Sequence, residues 1–239
     1  MGIPAVDWAA PVEQSRQQHN PTTDTSLTGE RGPMAGGIVF PQLCSSSPTR
    51  LTVWCKSLLF HGNGYTVYDG SSGRVVFRVD NYAHDWREET VLMDCAGGVL
   101  LTIRRRRKRL GISERWMAYK GDGGDAAGFD GGKKQRPLFK AQKEPGLPCF
   151  KVFMASHSSG GAEPSVGYTY RMNWSRQEHW SRIYQLATAS GALPVAEVRR
   201  KCGVKPEVWL GEDVLTLEVQ PGMDPAIAMA LMIITRNVK

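Results

Sequence analysis

Apolar and polar residues alternate in short runs along most of the chain. Val75, Phe77 and Val79 are interleaved with Arg74, Val76 and Arg78, and Leu215, Leu217 and Val219 with Thr216, Glu218 and Gln220. Successive side chains of a strand point to opposite faces, so a period of two marks strands with one buried face. Further short apolar runs cover 51–55, 65–68, 99–103, 115–119, 149–154, 167–172, 183–186 and 195–198. Asn63-Gly64 lies between Leu58–Phe60 and Tyr65–Tyr68, and that dipeptide favours the positive φ angles of a type I′ hairpin turn. Roughly a dozen strands at a spacing of about 8–12 residues predict an all-β barrel or sandwich.

An internal repeat supports a meander of hairpins. Val67-Tyr68-Asp69, followed by Gly73 and the strand Val75–Val79, is echoed by Leu92-Met93-Asp94, followed by Gly97 and the strand Val99–Ile103. A fainter copy runs from Leu186 through Gly191 to Arg200. Each copy is strand, glycine-bearing turn, strand.

The C-terminus breaks the pattern. Asp224 is a good N-cap and Pro225 a good first helical residue. The following nine residues, Ala226–Ile234, are apolar on every face. A helix of that kind has to be buried on all sides. In a chain that is otherwise β, strands wrapped around it achieve this, and about twelve make a wide enough barrel. The expected fold is therefore all-β: a closed antiparallel barrel around a buried hydrophobic C-terminal helix, with Ile227, Met229, Leu231 and Ile233 as its core. At about 1.5 Å per residue the apolar run spans roughly 14 Å, half of a bilayer core, so no transmembrane segment is expected.

Composition divides the chain. Residues 1–35 are rich in Pro, Thr, Gln, Ser and Gly without periodicity and are expected to form a disordered tail. Residues 36–239 are the expected barrel domain. A flexible insertion is expected at 121–135, where the Gly- and Asp-rich stretch 121–132 meets no calcium-loop spacing. The five cysteines form no C-x-x-C pair, and the N-terminus lacks the pattern of a secretory signal. Reduced thiols in the cytoplasm or nucleus are the expectation.

The formal net charge is +7. The tail carries −2, from Asp7, Glu13, Asp24 and Glu30 against Arg16 and Arg31, which leaves +9 on the remainder. Six positive charges stand in one run, Arg104, Arg105, Arg106, Arg107, Lys108 and Arg109. A second cluster is Arg199, Arg200 and Lys201, expected to add to the same patch if the hairpin repeat brings the strand ends together. Concentrated basic charge points to an acidic partner, lipid headgroups or nucleic acid.

Several stretches resemble the plant LURP-one-related family. They are Lys56–Asp69 (KSLLFHGNGYTVYD), Val76–Tyr82 (VFRVDNY), Leu100–Arg105 (LLTIRR), Val198–Lys201 (VRRK) and Glu218–Ala230 (EVQPGMDPAIAMA). The resemblance covers about residues 38–238. It implies a Tubby C-terminal-like and phospholipid-scramblase-like barrel, association with plant defence, and phosphoinositide binding or membrane-tethered transcriptional regulation. The basic run is longer than the family usually shows.

Motifs of catalysis are missing from the sequence: there is no G-x-S-x-G, P-loop, H-E-x-x-H or G-x-G-x-x-G. The five histidines have no ligand spacing to one another or to cysteine, and His61 belongs to the Asn-Gly turn. Asp80, Asp85, Glu88 and Glu89 read as a solvated loop. The expected protein is a non-enzymatic binding module without metal or cofactor. It is cytoplasmic and peripheral to membranes, and its partner is anionic phospholipid together with protein partners of unknown kind. A nuclear regulator binding nucleic acid ranks second, and scramblase-like lipid handling is the third reading.

Overall fold

The alternation of apolar and polar positions becomes twelve antiparallel strands in the computed structural model, which describes residues 38–56, 64–84, 87–106, 114–122, 135–155, 169–175, 177–186, 194–201 and 211–237. They are β1 (Thr49–Trp54), β2 (Gly64–Asp69), β3 (Val75–His84), β4 (Arg87–Asp94), β5 (Val99–Arg106), β6 (Arg115–Lys120), β7 (Phe139–Lys143), β8 (Cys149–Met154), β9 (Tyr170–Ser175), β10 (Trp180–Gln185), β11 (Pro194–Arg200) and β12 (Val214–Val219). Each strand pairs with the next, and β1 pairs with β12, so the sheet closes on itself and leaves no edge. The repeat read from the sequence is three of these hairpins: β2–β3, β4–β5 and β10–β11. Gly73 and Gly97 take the left-handed φ angles of 68° and 91° at the first two turns.

One strand, β7, lies where the sequence shows no clean apolar run, and β4 extends the Leu92-Met93-Asp94 arm of the repeat back into a charged stretch. Of the carboxylates expected in a solvated loop, Asp80 is buried within β3, Glu88 and Glu89 lie near the start of β4, and Asp85 is outside the described residues. Of the turn expected at Asn63-Gly64, only Gly64 is among the described residues. Gly64 is the first residue of β2, in register with Asp80, and the strand paired ahead of β2 is β1. The stretch Leu58–Asn63 lies outside the described residues, as do the tail 1–35 and positions 123–134 of the insertion.

Inside the barrel runs α1 (Pro225–Arg236), with Pro225 through Thr235 buried. Ala226, Ala228 and Ala230 keep the helix narrow, and Ile227, Met229, Leu231 and Ile233 join one cluster with Leu51, Val67, Phe77, Leu101, Phe139, Phe150 and Leu217 from the inward faces. Among the described residues no helix is long and apolar enough to cross a membrane.

The two barrel ends differ. At the helix N-terminus, Asp224 is fully buried and accepts four backbone hydrogen bonds. Its Oδ1 takes Ala226 N at 2.9 Å and Ile227 N at 3.4 Å, and its Oδ2 takes Val39 N at 2.9 Å and Phe40 N at 2.7 Å. This carboxylate caps the helix and also clamps the segment before β1 across that end, where Phe40 is buried and Val39 and Leu43 pack on the core. At the other end, by the helix C-terminus, described residues border a cavity, called the mouth below.

Candidate functional site

All odd-numbered strands run the same way, so the ends of β5 and β11 both reach the barrel end that holds the mouth. They stand six strands apart in a ring of twelve, on opposite sides. Among the described residues, Arg104, Arg105 and Arg106 therefore stand apart from Arg199, Arg200 and Lys201; Arg107, Lys108 and Arg109 lie outside the described residues.

Within the basic run, period two separates residues that look alike in sequence. Leu101, Ile103 and Arg105 share the inward face of β5, while Arg104 and Arg106 face outward. Arg105 is 4% exposed. It donates from Nη1 to Glu88 at 2.8 Å and from Nη2 to Glu114 at 2.6 Å, and lies 5.4 Å from the Trp116 ring centre. Burial pulls its guanidinium downward, but the bonds to Glu88 and Glu114 more than offset this and hold it above the ordinary arginine value. Arg104 donates from Nε to Glu89 at 2.6 Å and lies 5.2 Å from the centre of the Tyr119 ring. Glu88 and Glu89, expected as loop carboxylates, sit opposite Arg105 and Arg104 in the β4–β5 ladder. These two arginines are consumed by the fold.

Arg106 differs. It is exposed and stands directly opposite Arg115, also exposed, in the β5–β6 ladder. Exposed Lys140 follows on the outer surface of β7. None of the three forms an ion pair among the described residues. Arg107, Lys108 and Arg109 continue from Arg106 and lie outside the described residues.

The second cluster is laced with carboxylates. Arg199 donates to Glu197 at 2.5 Å, and Glu197 also receives Arg182 at 2.6 Å. Burial pushes the Glu197 carboxyl up, but the Arg199 and Arg182 bonds outweigh it and hold the group below its ordinary value. Arg200 pairs with Glu212 at 2.7 Å, and Lys201 Nζ bonds Thr52 Oγ1 at 2.6 Å. A groove of about 310 Å³ here is bordered by Arg50, Arg199 and Lys201, but also by Glu197 and Glu218.

Two further cavities lie near the mouth end, beside a smaller one of about 280 Å³ bordered by Trp174, His179 and Arg236. One, of about 670 Å³, is bordered by Cys149, Arg171, Asn173 and Trp180. Arg171 Nε donates to the Cys149 sulfur at 3.2 Å. Burial pushes that thiol up, and the pull of Arg171 does not reverse it, so this cysteine is not an activated nucleophile. The other is the mouth itself, about 430 Å³, between Tyr65, Asn81, Glu88, Arg105, Trp116 and Arg236. Among the described residues no group of three or more His, Cys, Asp or Glu is placed to hold a metal ion.

The model of the LURP-one-related family matches residues 49–236, the whole barrel and its helix. The chain belongs to the LURP-one-related family. Protein LURP-one-related 8 of Arabidopsis thaliana is 37% identical over 201 residues, covering 82% of this chain and 92% of its own. LURP-one-related 5 of the same plant is 34% identical over 84% of this chain and 89% of its own. The X-ray structure of an Arabidopsis thaliana protein superposes with a TM-score of 0.54 at 18% identity, covering 84% of this chain and 98% of that one. This shows that the LURP-one-related barrel seen here has an experimentally solved counterpart of the same fold.

Proposed function

We propose that this LURP-one-related protein is a non-enzymatic, Tubby-like binding module. It docks on anionic phospholipid surfaces through the rim segment that begins at Arg106, peripheral to cytoplasmic membranes and within plant defence signalling. The observation that carries the reading is the exposed Arg106–Arg115 pair. Like charges directly opposite in a ladder destabilise a sheet, and an anion between them relieves the repulsion. The planar guanidinium fork takes two phosphate oxygens at once, and Arg107, Lys108 and Arg109 extend the same charge along the chain. Arg104 and Arg105 serve this surface only by fixing β5 against β4.

A binding role rather than catalysis is supported by the barrel interior, which α1 fills with Ile227, Met229, Leu231 and Ile233. Enzyme pockets are concave and need that volume free. Lipid is preferred to nucleic acid because, among the described residues, the one α-helix is buried and no helix is presented to a major groove. The test is sedimentation with vesicles containing phosphatidylserine and phosphoinositide at about 0.15 M salt, with duplex oligonucleotide as competitor. Co-sedimentation that resists the oligonucleotide is expected. Release by the oligonucleotide moves the protein to the nuclear, nucleic-acid reading.

A further inference from the structure

Residues directly opposite each other in an antiparallel pair point to the same face of the sheet. The register therefore ties the outward side chains of neighbouring strands into rows. One row crosses β5 to β9: Arg106 is opposite Arg115, Arg115 opposite Gln142, Gln142 opposite Lys151, and Lys151 opposite Arg171. Every member but Gln142 is a cation. At about 4.8 Å between strands the row is about 19 Å wide. Exposed Lys140 stands two residues from Gln142 on the same face of β7. Like charges directly opposite destabilise a sheet, and the row contains the pairs Arg106–Arg115 and Lys151–Arg171. Glu144 lies against the second pair, 2.6 Å from Lys151 Nζ and 3.7 Å from Arg171 Nη2, yet these side chains remain 41% and 44% exposed.

Glu144 opens the turn 144–148 that joins β7 to β8, and the same turn holds Leu147. Leu147 N–H donates to Glu144 O at 3.3 Å, and Gly146 takes a φ of 73°. Pro145 and Pro148 stiffen the turn on either side. Leu147 is 50% exposed, more than any other large hydrophobic side chain among the described residues. A single exposed leucine is ordinary. This one sits on a stiff turn between the two strands at the middle of a cationic row. An anionic bilayer offers a complement to both features, phosphate at the headgroups and an apolar boundary just beneath them. We propose that the outer row Arg106, Arg115, Lys151 and Arg171, with Lys140, lies along anionic headgroups while Leu147 enters the acyl boundary beside it. This rests on the lipid reading above and extends it from the rim to one side of the barrel, with β7 and β8 toward the membrane and β1 on the far side of the ring.

Sedimentation with phosphatidylcholine–phosphatidylserine vesicles at about 0.15 M salt compares the full-length parent with three variants. Leu147→Ser removes the apolar tip at an exposed position and is expected to weaken binding about fivefold, since half of the side chain is left to bury. Lys140→Gln is expected to weaken it about fivefold, the share of one basic residue at an anionic surface. Glu144→Gln takes a negative charge out of the row and is expected to strengthen binding about fivefold, a gain that misfolding does not produce. The inference is overturned if Glu144→Gln fails to gain, or if Leu147→Ser and Lys140→Gln both bind as the parent does. In either case loss of binding by the R106Q, R107Q, K108Q, R109Q variant leaves the rim reading standing. A parent that does not bind these vesicles overturns both.

Discussion

Replacing Asp224 by alanine removes four hydrogen bonds at one buried point. Two belong to the start of α1, and an N-cap of this type is worth about 1 kcal/mol. The other two leave Val39 N–H and Phe40 N–H buried without an acceptor, at about 1–2 kcal/mol each. The expected loss is therefore about 3–5 kcal/mol, a large part of a total stability of about 5–15 kcal/mol. For a chain of this length each kcal/mol moves Tm by roughly 2–4 °C, so Tm falls by roughly 10 °C. Asp224→Asn is the control. It keeps an oxygen for the helix and turns an amide N–H₂ toward two backbone donors, so its loss is intermediate. Thermal unfolding followed by circular dichroism and differential scanning calorimetry measures both variants. An alanine variant that melts within about 2 °C of the parent refutes the idea that this carboxylate pins the end of the barrel.

Truncation separates tail from clamp: removal of residues 1–35 is expected to leave Tm unchanged, because the contacts to Asp224 begin at Val39, whereas removal of 1–44 lowers it as far as Asp224→Ala does. Arg105→Ala removes the buried cation between Glu88 and Glu114 and is expected to destabilise toward the low end of about 3–5 kcal/mol in urea unfolding, because Glu88 is 42% exposed and keeps water. Arg106→Ala, at an exposed position without an ion pair among the described residues, is expected within about 0.5 kcal/mol of the parent. Glu197 is held below its ordinary carboxylate value, so its contribution is present above that value and is lost as pH falls through the lower, folded one. Glu197→Gln is expected to flatten the acid limb of a Tm-versus-pH curve, and an unchanged acid limb contradicts the role given to Arg182 and Arg199.

Most of the barrel was legible because its strands obey period two and its helix is apolar all round. The exceptions have physical causes. β7 presents only Phe139 and Ala141 to the core between Lys140, Gln142 and Lys143, and reads as a polar connection. β4 opens with charged residues, of which Glu88 and Glu89 look solvated until their partners on β5 are known. Those partners depend on an irregularity of the ladder. The ladder pairs Met93 with Val99 but Leu92 with Leu101, and it is this one-residue shift, unmarked in the repeat, that sets Glu89 opposite Arg104 and Glu88 opposite Arg105. The basic run looked uniform because charge was counted along the chain and not by face. Arg105 turns into the mouth, Arg104 is paired on the outside, and the free charge begins at Arg106. The other partners of Arg105 were out of reach, since Glu114 and Trp116 meet it only through the β5–β6 ladder.

The most direct measurement of the proposed function is vesicle affinity of two full-length variants beside the parent, in phosphatidylserine and phosphoinositide vesicles at about 0.15 M salt. One variant is R106Q, R107Q, K108Q, R109Q; the other is R199Q, R200Q, K201Q. At about 1 kcal/mol for each basic residue near an anionic surface, the first is expected to lose up to about 4 kcal/mol, close to a thousandfold. The second is expected to bind much as the parent does, because Glu197 and Glu212 already neutralise Arg199 and Arg200. Equal binding by the parent and the first variant, or no binding by the parent, contradicts the account.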